Sequence, residues 1–260
     1  MKDSKGLLGA IILLFFMLWF PLGQYDFLVH HWMRIGTYAI PFLLIGIFLT
    51  EDSIGILFKS YRFIGVLLLI AYIIHQFEEH WIDLYGNYYA FYDFNNNFIL
   101  KNLGAPDSEI RPLTKEAIFI INTSLVWLVG VLGILASPKH NFPLICMASI
   151  ILVNGIVHVL AGMATFQYNP GLLTSIVLFV PLYFGFLRVI NNQFEGNKRF
   201  ILGGLLWAFL AHLIMVAGLL MANWFRLIPE LMYFVVLVVW SMLPVVLFRS
   251  KNQPAKVSNH

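Results

Sequence analysis

The sequence is poor in cysteine and in charge. Its 260 residues hold one cysteine, Cys146. That excludes a disulfide framework and a cysteine-based zinc site, and a thiol inside an apolar run reads as packing. Charged residues make up 11% of the chain, against about 25% in a soluble domain, which excludes a water-soluble globular fold. A formal net charge of +3 leaves too little basic surplus to grip a nucleic-acid backbone. Met1-Lys2-Asp3-Ser4-Lys5 and the apolar run after it resemble a signal peptide, but no small-x-small cleavage site follows. Phe20-Pro21-Leu22-Gly23 stands there instead, so the run reads as a retained first span. There is no internal repeat, and Pro41, Pro181 and Pro244 do not pair as the broken helices of an inverted-repeat transporter would.

What is abundant is apolar surface: 60% of the residues are hydrophobic. Eight segments approach the about 17–25 residues that span a bilayer, at residues 6–22, 33–50, 62–82, 116–136, 142–163, 170–190, 200–221 and 229–248. The expected fold is all-α: one polytopic membrane bundle over residues 1–260. Eight spans put both ends on one side, which would carry Lys2, Lys5, Lys59, Arg62, Lys139, Arg188, Lys198, Arg199, Arg249, Lys251 and Lys256. The other side would carry Arg34, Lys101, Arg111, Lys115 and Arg226. The basic excess places both termini in the cytoplasm, in a multi-pass protein of the cell membrane. The connection at 83–115 then lies outside the cell. With the residues just before it, it holds Trp81, Tyr85, Tyr88, Tyr89, Phe91, Tyr92, Phe94 and Phe98. It reads as an interfacial aromatic belt or as a lid, with turns at Asn95-Asn96-Asn97 and Pro106-Asp107-Ser108.

The third span ends on His75-Gln76-Phe77-Glu78-Glu79-His80. Ionisable groups inside a membrane span are costly and mark function. At about 100° per residue, Glu78 lies about 60° from His75 on one side and Glu79 about 40° on the other. His80 falls about 140° away and need not join them. A neutral imidazole and a carboxylate on one face can hold a metal, which leaves the second carboxylate for proton transfer.

Other polar residues converge on the same depth. His75 is ~20 Å up its helix from Arg62, His158 ~24 Å from Phe142 and His212 ~18 Å from Phe200, while Asn122 is ~10 Å down from Lys115. All fall in the outer half. Asn154 is four residues before His158 and on its face, where its amide is expected to accept the second ring N–H of His158. Tyr168-Asn169-Pro170-Gly171 reads as a turn that lets Tyr168 fold back over the site. His212 is a third candidate ligand or a packed histidine.

His75-Gln76-Phe77-Glu78-Glu79, a later membrane histidine and Tyr168-Asn169-Pro170-Gly171 together resemble the HXXEE domain family of integral membrane proteins over about residues 62–190. That family is marked by His-x-x-Glu-Glu, a further histidine and Tyr-x-Pro-Gly. The resemblance carries over His75, Glu78, Glu79, His158, Tyr168, Pro170 and Gly171. Asn154, Asn122 and His212 rest on depth and spacing alone.

The expected function is a metal-dependent membrane enzyme, a hydrolase or acyl-transfer enzyme acting on a lipid or other apolar substrate at the outer leaflet. His75, Glu79 and His158 are the expected metal ligands, for zinc or else iron. Glu78 is the expected base, Tyr168 and His212 the groups that stabilise developing charge, and Asn154 and Asn122 the supporting shell. The bilayer and the substrate are the expected partners, with no nucleic acid. The rival readings are a proton-coupled transporter with a Glu/His relay and an accessory protein whose polar cluster only joins helices.

Overall fold

The structure is a computed structural model and describes residues 25–50, 59–136, 141–193 and 198–247. Among these residues there are eight helices and no strand, apart from one antiparallel bridge between Ile82 and Tyr88. They are α1 (Tyr25–Thr50), α2 (Tyr61–His80), α3 (Ala90–Asn102), α4 (Lys115–Ala136), α5 (Phe142–Thr165), α6 (Leu172–Gln193), α7 (Lys198–Trp224) and α8 (Glu230–Leu247). Five of them, α2, α4, α5, α6 and α7, are long and apolar enough to cross a membrane. The expected first span, 6–22, lies outside the described residues. The expected second span begins earlier than read, because α1 already starts at Tyr25.

The 83–115 connection departs from expectation. Asn95, Asn96 and Asn97 lie within α3 and form no turn. Residues 88–103 contain neither Gly nor Pro, so nothing breaks a helix there. The Asn side chains, which compete with helix when they bond locally elsewhere, here donate back along it. Asn95 Nδ2 reaches the Phe91 carbonyl at 3.1 Å and Asn102 Nδ2 the Phe98 carbonyl at 2.8 Å. Buried Asn96 also exchanges two hydrogen bonds with the backbone of Leu113, each 3.0 Å, pinning α3 to the chain that leads into α4. The expected turn at Pro106-Asp107-Ser108 is present, closed by Ser108 N–H on the Ala105 carbonyl at 3.1 Å.

α2 is the inner helix. It starts at Ser60, whose hydroxyl caps the Phe63 N–H, and it packs against α1, α4, α5 and α6. Contact with α5 is close at Gly65, where a Cβ would lie 2.8 Å from Leu144. Small residues permit such approach between membrane helices, whose association depends on packing rather than on expelling water. Buried residues make up 72% of the apolar stretch of both α2 and α4, but 28% in α6 and α7. On α7, Leu202, Leu206, Phe209, Leu213 and Val216 are exposed at helical spacing, an apolar stripe suited to lipid. Three helices contain a wider π-turn: Thr123–Leu128 in α4, Ser175–Phe179 in α6 and Leu220–Trp224 in α7. Such turns recur near functional sites.

Candidate metal centre

The last residues of α2 converge with α5 on one carboxylate. Glu79 Oε1 lies 2.9 Å from His158 Nε2, and Glu79 Oε2 lies 3.3 Å from His75 Nε2 and 3.2 Å from His80 Nε2. All four side chains are buried. One ligand atom each from His75, Glu79 and His158 lies within 4.8 Å of the others, close enough to share a metal ion.

The hydrogen bonds around the two histidines fix their tautomers. Asn169 Nδ2 donates to the His158 backbone carbonyl at 3.0 Å, which can only accept. The Asn169 oxygen therefore faces His158 Nδ1 at 2.7 Å, and that nitrogen carries the proton. Thr174 Oγ1 donates to Glu78 Oε2 at 2.6 Å and so accepts from His75 Nδ1 at 2.7 Å. In the neutral rings both Nε2 atoms then turn a lone pair toward a carboxylate, and that of His75 also meets Asn154 Nδ2 at 3.0 Å. Acceptors facing each other without a cation or added protons repel. Buried in this way, the group calls for positive charge. Two Nε2 atoms and a carboxylate oxygen, each imidazole held through its other nitrogen, make a donor set suited to zinc or iron.

Glu78 is adjacent in sequence but stands outside this group. Its Oε1 accepts from the Tyr168 hydroxyl at 2.8 Å, and its Oε2 from Thr174 N–H at 3.1 Å as well as from the Thr174 hydroxyl. Thr174 thus stands between Glu78 and His75. Tyr168 folds back as its turn suggested. Burial above all, opposed by the Leu84 N–H and helped by the hydrogen bond to Glu78, pushes its phenol above the ordinary tyrosine range, so it stays a donor.

The Tyr168-Asn169-Pro170-Gly171 segment serves every part of the cluster. Tyr168 holds Glu78 and Asn169 holds His158. Leu172 N–H closes the turn on the Asn169 carbonyl at 3.0 Å, and Gly171 takes φ 94°, the positive value that the third position of a type II turn requires. A Cβ on Gly171 would lie 2.7 Å from His75 Cε1, 2.8 Å from His158 Cε1 and 2.9 Å from Glu79 Cγ. The glycine is there because its backbone lies against the cluster.

Several expected placements are corrected. His80, read as turned away, contacts Glu79, because the carboxylate lies between the two α2 rings. Asn154 does not serve His158. Its Nδ2 lies 3.0 Å from His75 Nε2, since His158 has turned its Nδ1 to Asn169. Asn122 lies behind His80, its Nδ2 3.3 Å from His80 Nε2, while its oxygen accepts from Tyr72 and Gln76, each at 3.1 Å. Trp127 Nε1 donates to Gln76 and completes that chain. His212 is not in the cluster. Its Nδ1 donates to the Ala208 carbonyl at 2.9 Å, which leaves a lone pair on Nε2. Thr174 and Asn169 carry the two tautomer locks and were not singled out in the sequence, although Asn169 stood inside the motif.

A cavity of about 130 Å³ adjoins the cluster between α2, α3, α4, α5 and α7. Tyr72, Glu79, His80, Asn95, Asn122, Asn154 and His212 form its polar part, and the rest is apolar, mostly aliphatic side chains such as Ile118, Leu125 and Ile150.

Residues 66–186 match the family model described as "Protein of unknown function with HXXEE motif". The match begins inside α2 and ends inside α6, and takes in His75, Glu78, Glu79, His158 and the turn at Gly171. No curated protein and no solved structure matches the chain.

Proposed function

We propose that this chain, which carries an HXXEE domain at residues 66–186, is a membrane-embedded, metal-dependent hydrolase or acyl-transfer enzyme acting on a lipid or other apolar substrate. The observation that carries the reading is the convergence of the buried His75 and His158 Nε2 atoms on the Glu79 carboxylate. His75, Glu79 and His158 hold the cation, with zinc favoured and iron the alternative. Such a cation supplies Lewis acidity and a bound water whose pKa falls toward about 7.

The chain's own residues do the rest. Asn169 and Thr174 orient the imidazoles. Glu78 is the proposed base; it meets His75 only through the Thr174 hydroxyl, which holds the ring's Nδ1–H in place, while Tyr168 fixes the carboxylate. His212 has a free Nε2 lone pair on the cavity wall, which suits it to accept a proton rather than to donate to a developing anion. Asn154 touches both His75 and the cavity and steers the substrate. The bundle lies in the cell membrane with eight spans and both ends in the cytoplasm, which puts the site in the outer half.

Metal analysis of the purified wild type, without chelators, tests the reading. About one zinc or iron per chain is expected. A protein with no stoichiometric metal overturns it in favour of a proton-coupled carrier. One observation favours that second reading: the hydrogen-bonded chain His75–Thr174–Glu78–Tyr168 leads from the cluster to a half-buried tyrosine hydroxyl beside exposed Leu84. A relay to the surface would look like this.

A further inference from the structure

The cavity beside Glu79 is lopsided. Ile118 and Leu125 of α4, Ile150 of α5 and Leu219 of α7 make most of its wall aliphatic. Its ionisable groups, Tyr72, Glu79, His80 and His212, share it with the amides of Asn95, Asn122 and Asn154, and no Lys or Arg is among the described residues that line it. A phosphate headgroup would therefore find no lysine or arginine inside. Asn154 has its nitrogen on His75 Nε2, while its amide oxygen has no hydrogen-bond partner among the described residues. That oxygen can only accept, so it selects a donor such as a hydroxyl.

Size narrows the class further. The volume of about 130 Å³ is slightly below the roughly 150 Å³ of an apolar cavity that takes up benzene. It has room for about six carbons, far fewer than a membrane acyl chain.

We infer that this cavity binds a neutral aliphatic alcohol of about six carbons, with its hydroxyl at Asn154 and its alkyl chain among the α4, α5 and α7 side chains. The substrate class is then an ester of such an alcohol. This rests on the hydrolase reading of the site for its meaning, but the binding itself does not need the metal.

The test uses the full chain in lipid nanodiscs and fluorine NMR of a trifluoromethyl-terminated hexanol. Leu125→Trp and Leu219→Trp fill the cavity from two different helices, α4 and α7, and leave the proposed metal ligands untouched. Wild type should show a saturable bound signal that hexanol displaces, that dodecanol displaces at least about tenfold less well, and that both filled variants lack. Partition into the bilayer would be equal in all three proteins. A signal unchanged in a filled variant that still binds metal and melts like wild type overturns the inference. So does equal displacement by the two alcohols, which is read on wild type alone and decides the matter even if both variants misfold. If alcohol binds but no metal is present, the enzyme reading fails and this inference stands. If metal is present and no saturable alcohol signal appears, the reverse holds.

Discussion

Glu78 and Glu79 are joined by one peptide bond, are both buried, and sit in opposite chemistries. Glu78 is ringed by donors: a phenol, a threonine hydroxyl and a backbone N–H at 2.6–3.1 Å. Glu79 is ringed by three imidazoles at 2.9–3.3 Å, two of which hold their Nδ1 on other partners. A carboxylate among fixed donors is complete as it stands, like other well-satisfied buried polar groups. A carboxylate among imidazoles is complete only when the group holds added protons or a cation. The difference comes from the face of α2 that each residue occupies, since Glu78 points at the α6 turn and Glu79 at α5.

Removing the incomplete partner should have the largest effect. Glu79→Gln keeps the shape and loses the charge, and metal affinity should fall by more than the roughly 100-fold that an outer hydrogen bond is worth. Titration of purified protein with a competing chelator measures this, and near-wild-type affinity would erase the contrast between the two residues.

Gly171→Ala presses on the Glu79 side from outside. The positive φ alone costs about 1–2 kcal/mol for a residue with a Cβ, and that Cβ meets both metal-facing rings. Metal content and melting temperature should both drop, with no change at Glu78.

Thr174 joins the two regions, so it sharpens the contrast. Thr174→Val keeps the volume and removes the hydroxyl, freeing the His75 tautomer and one donor to Glu78. Metal affinity should fall about 10–100-fold, and Thr174→Ser should restore it. A valine variant with wild-type affinity would mean that packing alone orients His75.

Tyr168→Phe should be the mildest. The lost hydrogen bond to a carboxylate is worth about 1.5–3 kcal/mol, and metal content should hold. The phenol's raised pKa adds a pH signature. Above about pH 10 the unfolded chain loses this proton while the folded chain keeps it, so stability falls as pH rises through that range. Thermal unfolding against pH should show a shallower alkaline fall in the variant.

Much of this was legible in the chain. Long apolar runs announce helices, and ionisable groups at the end of one announce a site, because a membrane tolerates neither open backbone nor idle charge. The face of α2 placed Glu79 nearer His75 than Glu78. What helical angles could not give was the partner of each ring. Asn154 follows from periodicity as a neighbour of His158, yet it serves His75, since the ring turned to Asn169 across a turn. Helical angle did not require His80 to join the group, but a glutamate is long enough to lie between two rings. Thr174 gave no sign: one threonine among apolar residues of a span looks like any other until the α2 carboxylate is opposite it. The triple asparagine misled, because its usual turn chemistry also works backward along a helix.

The π-turns carry a consequence for how such a protein can change. A turn with one additional residue rotates everything beyond it by about 100° relative to an unbroken helix. Asn122 lies just before one such turn, Thr174 just before another, and Asn223 within the third. In α4, which has eight helical residues on each side of its π-turn, there are therefore two phases, one set by the apolar contacts of Val129–Ala136 and one by the polar residue at the turn's edge. Substitutions in the lower half can accumulate without rotating the upper half. Deleting one residue from 123–128 would lock the phases together and swing Asn122 or the wall at Leu125 out of place, though the composition of the helix would hardly differ.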